Sequence, residues 1–174
     1  PPQWRETPFG GGGLVVDWDL RTNLEGLYAA GHQTAGGAGY SEASATGRYV
    51  GRKAAAYAKV AAQPIINRKQ VDKEKARAYA PINRKCDIGW KELHAGICRI
   101  MQDYCGEYKS GETLKIGLSW LNSIRESEAE RVYARNPHEL ARTLECLSRI
   151  TVGEMIMRAS LARRASSSAL DFKR

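Results

Sequence analysis

The feature that most constrains the fold lies in the second half of the chain, where apolar residues recur at steps of three and four residues. The pattern runs through three long segments, residues 89–104, 111–133 and 137–164. Spacing of this kind is typical of helices with one apolar face, and short connections favour antiparallel neighbours. The sequence therefore predicts an antiparallel three-helix bundle.

Capping signals mark where these helices begin. Ser110 stands before the second segment, and serine caps helix N-termini well because its hydroxyl accepts a free backbone N–H. The third segment opens with Asn136-Pro137-His138-Glu139. This combines a capping side chain, a proline in the first turn and a glutamate whose side chain can accept the backbone N–H of the capping residue. These signals fix the starts of the second and third helices.

The first 40 residues are instead rich in glycine and contain two apolar runs of strand length, Leu14–Trp18 and Gly26–Ala30. Two strands do not make a stable domain alone, so we expect them to pack against a larger sheet that this chain does not contain. A helix lined with small residues should follow from Ser41 and end before Pro64. We also predict a short basic helix over residues 67–80, stopped by Pro81. The predicted fold class is mainly α, an α+β fragment.

Basic residues are concentrated in one segment. The net charge of the chain is +8, yet Arg48 to Lys85 alone carries eleven basic and two acidic residues, a net of +9. We interpret this segment first as a solvated face beside a long linker. An acidic protein surface and nucleic acid are the alternatives that such a patch can attract. No nucleic-acid reading module accompanies it, so we expect no nucleic-acid partner.

The cysteines and the ends of the chain bear on the compartment. The four cysteines form no Cys-x-x-Cys pair and show no clustered metal-ligand spacing: Cys86, Cys98, Cys105 and Cys146. We predict reduced, mostly buried thiols and no metal site, which favours a reducing compartment such as the cytoplasm.

No apolar run approaches the roughly 18 residues of a membrane span. The first residues lack the pattern of a signal peptide. Because there is no initiator Met, we expect the chain to start mid-protein or to have been processed.

Residues 26–48 have a pattern that suits ligand binding. A short strand ends at Ala30, a glycine-rich loop follows, and a helix begins near Tyr40. In this arrangement, backbone N–H groups and the helix dipole can hold a negative or electron-rich group. Glycines allow the backbone to come close because no side chain stands in the way. The alternative is a tight sheet-to-helix crossing without a ligand, and the residues alone do not decide between the two.

A family resemblance favours the ligand. The segment Gly26-Leu-Tyr-Ala-Ala-Gly31 resembles the Gly-Leu-Tyr-Ala-Ala-Gly-Glu segment of flavoprotein subunits in the fumarate reductase, succinate dehydrogenase and adenylylsulfate reductase superfamily. The stretch from Gly36 to Ala43 and the pair Gly47-Arg48 are similar, in register, to the family's Gly-Gly-Asn-Ser-Leu-Ala-Glu-Ala and Gly-Arg pattern. The helices of residues 89–174 resemble the family's three-helix C-terminal domain.

The resemblance implies FAD as the cofactor and a set of residues that contact it: Gly31, His32, Gly36, Gly37, Ala38, Gly39, Tyr40 and Ser41. Residues 1–62 would then be the C-terminal piece of a FAD-binding domain with a two-strand remnant, 63–88 a basic linker with a short helix, and 89–174 the three-helix domain. The remainder of the flavin domain, with its dinucleotide fingerprint, would precede Pro1. An iron–sulfur or other electron-transfer subunit is the implied partner, and the protein would be cytoplasmic or held at a membrane through it.

Departures from the family pattern bear on the substrate. His32 replaces a glutamate that holds cofactor hydroxyls, and a histidine can still hydrogen-bond a hydroxyl. Ala38-Gly39 replaces Asn-Ser, which leaves only backbone contacts. Thr34-Ala35 stands where dicarboxylate-reducing members have an arginine, and residues 165–170 lack the family's charged ending. A fumarate or succinate substrate would lose bidentate partners, so we expect neither. The catalytic residues remain unknown.

The leading hypothesis is therefore a fragment of the catalytic subunit of a FAD-dependent oxidoreductase. By itself, such a fragment should be inactive and should bind FAD weakly or not at all. The rival hypothesis is an independent helical interaction module that binds an acidic partner through its basic segment. A weaker third option is nucleic-acid binding through the same segment.

Overall fold

A computed structural model describes residues 13–34, 39–85, 88–166 and 171–173 of the chain. The chain divides into two compact units. Of the described residues, 13–34 and 39–66 belong to one, called the glycine-rich unit below. Residues 67–85, 88–166 and 171–173 belong to the other, called the helical unit.

The glycine-rich unit consists of an irregular segment followed by helix α1, Tyr40–Val60. A single 3-10 turn, Gly31–Gln33, lies between them. In the described part of this unit the two predicted strands are reduced to isolated bridges, one between Leu14 and Thr34 and one between Arg21 and Tyr28. The first run ends in a turn in which Leu20 has a positive φ of 59°. Among the described residues these runs pair through isolated bridges, and so short a pairing is marginally stable by itself.

The helical unit contains helices α2 (Arg68–Asn83), α3 (Trp90–Tyr104), α4 (Gly111–Glu126), α5 (Glu128–Arg131) and α6 (Pro137–Arg163). Helices α3, α4 and α6 pack against one another and bury one apolar core, whose most enclosed members include Leu93, Ile97, Leu114, Leu121, Ile150 and Met157. Two glycines let these helices approach closely. A Cβ on Gly117 would lie 2.8 Å from Met157 Cε, and one on Gly153 would lie 2.9 Å from Met101 Sδ. The predicted fold class, mainly α with a three-helix bundle, is confirmed.

The predicted caps are present. The Ser110 side chain accepts from the Thr113 N–H, and the two residues form a reciprocal capping box. The Asn136 side chain accepts from the Glu139 N–H, and Pro137 occupies the first position of α6. These side chains explain why α4 and α6 begin where the sequence predicts, because the first N–H groups of a helix have no partner within it.

Two predicted helix ends are wrong. The basic helix does not stop at Pro81, because α2 continues through that residue to Asn83. Pro81 is buried, and its carbonyl accepts from the Ala134 N–H at 2.9 Å, so tertiary packing outweighs the unfavourable position of the proline. The second long helix does not reach Tyr133 unbroken. Ser127 leaves helical geometry (φ −115°, ψ −82°), and the short α5 follows.

A parallel pair of short strands, β1 (Tyr108–Ser110) and β2 (Asp171–Lys173), completes the helical unit. Tyr108 pairs with Asp171 and Ser110 with Lys173. The sequence pattern did not predict this pair, because each strand has only three residues and the partners are about 60 positions apart. None of the described helices is both long and apolar enough to cross a membrane.

Candidate functional site

Both backbone polar groups of Gly31 are hydrogen-bonded within the glycine-rich unit. It is buried, with a positive φ of 62°. Its N–H donates to the Thr46 hydroxyl on α1 at 2.9 Å. Its carbonyl accepts from the N–H and the hydroxyl of Thr34, at 3.0 and 2.8 Å. A Cβ at Gly31 would lie 3.2 Å from Ala43 Cβ, so glycine is needed here for both its φ and its small size.

Gly39 precedes the first residue of helix α1, Tyr40, and the first two residues of the helix are exposed. Gly39 has a φ of 93° and provides no capping side chain, in contrast to Ser110 and Asn136 at the starts of α4 and α6. A Cβ at Gly39 would meet no atom within 4 Å. Tyr40 is 95% exposed. The start of this 21-residue helix is therefore open to an electron-rich group that accepts from backbone N–H groups.

The structure places the predicted cofactor residues only in part. Gly31 is buried in the 3-10 turn, and His32 beside it is exposed. Gly39, Tyr40 and Ser41 form the exposed start of α1. Three other predicted residues lie outside the described part of the chain, as does the neighbouring Ala35: Gly36, Gly37 and Ala38. The cofactor assignment of the whole set stays a prediction.

The turn at residues 17–21 is joined to α1 by a charged cluster that sequence reading missed. Asp19 Oδ1 lies 2.7 Å from Lys53 Nζ and accepts from the Tyr49 hydroxyl at 3.2 Å, and Asp19 also pairs with Arg21. The Lys53 ammonium, followed by Arg21, lowers the pKa of Asp19 to about 2. Asp17 orders the turn by accepting from two backbone N–H groups. Tyr49 and Lys53 stand four positions apart on α1, which is the one signal in the sequence for this cluster.

A second polar cluster lies between α3 and α6 in the helical unit. Arg149 Nη1 donates to His94 Nδ1 at 2.8 Å, and Cys98 Sγ lies 3.6 Å from the ring. Burial, and then the Arg149 charge, lower the pKa of His94. No group of three or more His, Cys, Asp or Glu that could hold a metal occurs among the described residues. His94 is half-buried at the contact between α3 and α6.

The cysteines that the structure describes are enclosed in the helical unit. Cys98, Cys105 and Cys146 are buried. Burial raises the pKa of Cys105, and it raises the pKa of Cys146 to about 11. Such thiols are poor nucleophiles at neutral pH because the thiolate is the reactive form. Cys86 lies outside the described residues.

One comparison with known proteins concerns the helical unit. Residues 94–170 match the family model of the fumarate reductase flavoprotein C-terminal region. The predicted resemblance to fumarate reductase and succinate dehydrogenase flavoprotein subunits is thereby confirmed for the C-terminal part of the chain. No curated protein sequence matches the chain closely enough to stand as a relative.

Solved structures extend the likeness in fold to most of the chain. A structure of E. coli quinol fumarate reductase FrdA has a TM-score of 0.78 at 21% identity and covers 93% of this chain. The Mycobacterium smegmatis Sdh1 complex in the apo form has a TM-score of 0.76 at 24% identity and covers 92%. A quinol-fumarate reductase with menaquinol molecules has a TM-score of 0.78 at 21% identity and covers 93%. The chain spans only 30% to 31% of the length of those chains. At these identities the likeness concerns the fold.

Proposed function

We propose that this chain is the C-terminal part of the catalytic subunit of a FAD-dependent oxidoreductase of the fumarate reductase/succinate dehydrogenase type. The match of residues 94–170 to the flavoprotein family carries the proposal. The glycine-rich unit provides one wall of the flavin site, and the helical unit buttresses the body of the protein. The mainly α fold agrees with a chain that supplies only part of a flavin domain. A complete flavin domain needs a larger sheet than the isolated bridges of this unit.

The described residues fit a flavin beside the start of α1. Gly39 leaves open space where a side chain would stand, and the first turn of α1 is exposed. The backbone N–H groups of this turn and the helix dipole would stabilise negative charge on the pyrimidine side of a reduced ring. His32 is exposed and can hydrogen-bond a cofactor hydroxyl. When bound, the flavin supplies the hydride or electron transfer.

The substrate of the proposed enzyme is neither fumarate nor succinate. Thr34 stands just before the glycine pair, where dicarboxylate-reducing members have an arginine close by, and its hydroxyl is engaged with the Gly31 carbonyl. A carboxylate would therefore find no guanidinium from this part of the described chain. We propose that most of the acid, base and anion-binding groups of the reaction come from other parts of the subunit. We propose an iron–sulfur or other electron-transfer subunit as the partner, and a cytoplasmic location, at a membrane only through that partner.

The flavin content of the full-length protein tests the proposal. We expect the purified protein to be yellow, with a flavin absorbance band in the visible range that the 174-residue chain alone lacks. The substitution His32→Ala should lower the flavin retained after dialysis. His138→Ala, which changes an exposed histidine of the helical unit, is the matched control and should retain all of it. A full-length protein without flavin would overturn the proposal.

The alternative is a helical module that binds an acidic partner through α2. The division of the chain after Ile66 favours it, because α2 belongs to the helical unit and exposes five basic residues, of which Arg77 pairs with Glu74: Arg68, Lys69, Lys73, Lys75 and Arg77. Limited proteolysis distinguishes the two functions in part. Rapid loss of residues 1–40 with an intact bundle supports the module, and flavin in the full-length protein decides against it.

A further inference from the structure

We propose that Thr46 is a positioning residue that holds the start of α1 at a fixed distance from the Gly31 turn. The inference rests on the proposed flavin function and adds to it a side chain that touches no cofactor. Thr46 stands 15 positions from Gly31 and is partly buried.

The hydroxyl of Thr46 is used in both directions. It accepts the Gly31 N–H at 2.9 Å and donates to the Glu42 carbonyl at 2.7 Å. The second bond is one that a threonine in a helix commonly makes to the residue four positions earlier, and it orients the oxygen. The lone pairs of that oxygen then face the Gly31 turn. One side chain therefore links the first turn of α1 to the end of the Gly26–Gly31 segment.

The link matters because it fixes both ends of the glycine loop. On the incoming side, Gly31 also accepts two hydrogen bonds from Thr34. On the outgoing side, the Ala43 N–H donates to the Gly39 carbonyl at 3.1 Å and so closes the first turn of α1. Without the hydroxyl of Thr46, the Gly31 N–H would lose its acceptor in a partly buried place, and the two ends of the loop could separate. A helix start that shifts would lose part of its effect on a bound ring, since that effect falls off steeply with distance.

The experiment compares Thr46→Val with Thr46→Ser in the full-length protein. Valine has nearly the shape of threonine but removes the hydroxyl, whereas serine keeps it. Thr151→Val is the matched control, because Thr151 makes the same kind of bond to Leu147 in α6 and accepts no loop N–H in the contacts described. Hydrogen exchange of peptides covering residues 26–34, the flavin dissociation constant and the flavin midpoint potential are the readouts.

We expect Thr46→Val to speed exchange in residues 26–34, to weaken flavin binding about 5- to 10-fold, as for one lost hydrogen bond, and to make the midpoint potential more negative. Thr46→Ser and Thr151→Val should match the wild type. Faster exchange with unchanged affinity and potential would show a purely structural contact and overturn the inference while the proposed function stands. A wild-type protein without flavin would defeat both.

Discussion

The helical unit buries a continuous apolar core between α3, α4 and α6, whereas α1 of the glycine-rich unit has no buried residue. The glycine-rich unit instead exposes large apolar side chains, among them Val15 at 87% and Trp18 at 97%. What holds its described part together is a small set of polar contacts, including Gly31 with Thr46 and Asp19 with Lys53. Burial of apolar surface is the dominant favourable term in folding, so we expect the helical unit to fold alone and the glycine-rich unit to need a larger body.

The largest effect is expected in the core of the helical unit. Leu121 is 1% exposed, and its Cδ1 lies close to Gly153, 3.2 Å from where a Cβ there would stand. Leu121→Ala should lower the free energy of unfolding by about 3 kcal/mol, because it removes buried methyl groups and leaves a cavity. Urea denaturation followed by circular dichroism measures this.

The control for Leu121 is Ile116→Ala, on the same helix and 42% exposed. It should cost less than about 1 kcal/mol, as substitutions outside the core usually do. Equal losses at the two positions would mean that the bundle is not organised around this core, and the contrast between the units would collapse.

A smaller effect of opposite sign is expected at Thr143. Thr143 is 0% exposed, and its hydroxyl oxygen has no hydrogen-bond partner among the described residues. A buried hydroxyl without a partner is unfavourable, so Thr143→Val should raise the free energy of unfolding by about 1 kcal/mol. The thermal unfolding midpoint measures the change. The control is Thr151→Val, at an exposed position on the same helix, which should leave the midpoint unchanged. A destabilised Thr143→Val variant would contradict the absence of a partner.

The His94 contact makes the stability of the helical unit dependent on pH. The folded-state pKa of His94 is lowered, first by burial and then by Arg149, so folding favours the neutral ring. Stability from this site is therefore complete above the unfolded pKa, about 6.5. It decreases as the pH falls through that value towards the lower folded pKa. Urea unfolding at pH 7.5 and 5.5 should show a larger loss in the wild type than in His94→Gln. An equal loss in both proteins would show that His94 is not the group responsible.

How far the sequence predicted the structure differs between the same two regions. In the helical unit the period of apolar residues placed both ends of α3 and α6 within a residue or two, and the caps at Ser110 and Asn136 marked the starts of α4 and α6. The break at Ser127, the continuation of α2 through Pro81 and the β1–β2 pair were missed. The β1–β2 pair and the continuation of α2 through Pro81 depend on contacts between distant parts of the chain, such as the Ala134 N–H on the Pro81 carbonyl, and no local pattern encodes them.

The candidate site was predicted less completely, for a related reason. The motif from Gly26 to Gly31 identified the turn, and the positive φ of Gly31 explains its glycine. The partners that hold this turn stand far away in sequence. Thr46 is 15 residues from Gly31, and Lys53 is 34 residues from Asp19. Neither pair forms a spacing that distinguishes it from the many exposed threonines, lysines and aspartates of the chain.

The smallest effect is expected at Asp19, on the surface of the glycine-rich unit. Asp19→Asn removes the charge that holds Lys53 and Arg21 and leaves the shape of the side chain nearly unchanged. Exposed ion pairs contribute little to stability, so the unfolding midpoint should hardly move. Hydrogen exchange in residues 17–21 should increase, because this turn is joined to α1 through Asp19.

The increase should be reproduced in the wild type by raising the salt concentration, which screens such pairs. Asp72→Asn on α2 is the control and should leave exchange in that turn unchanged. If Asp19→Asn instead lowered the unfolding midpoint as strongly as Leu121→Ala, the glycine-rich unit would depend on this cluster as the helical unit depends on its core. The two units would then differ in the kind of contact that stabilises them and not in how much it stabilises them.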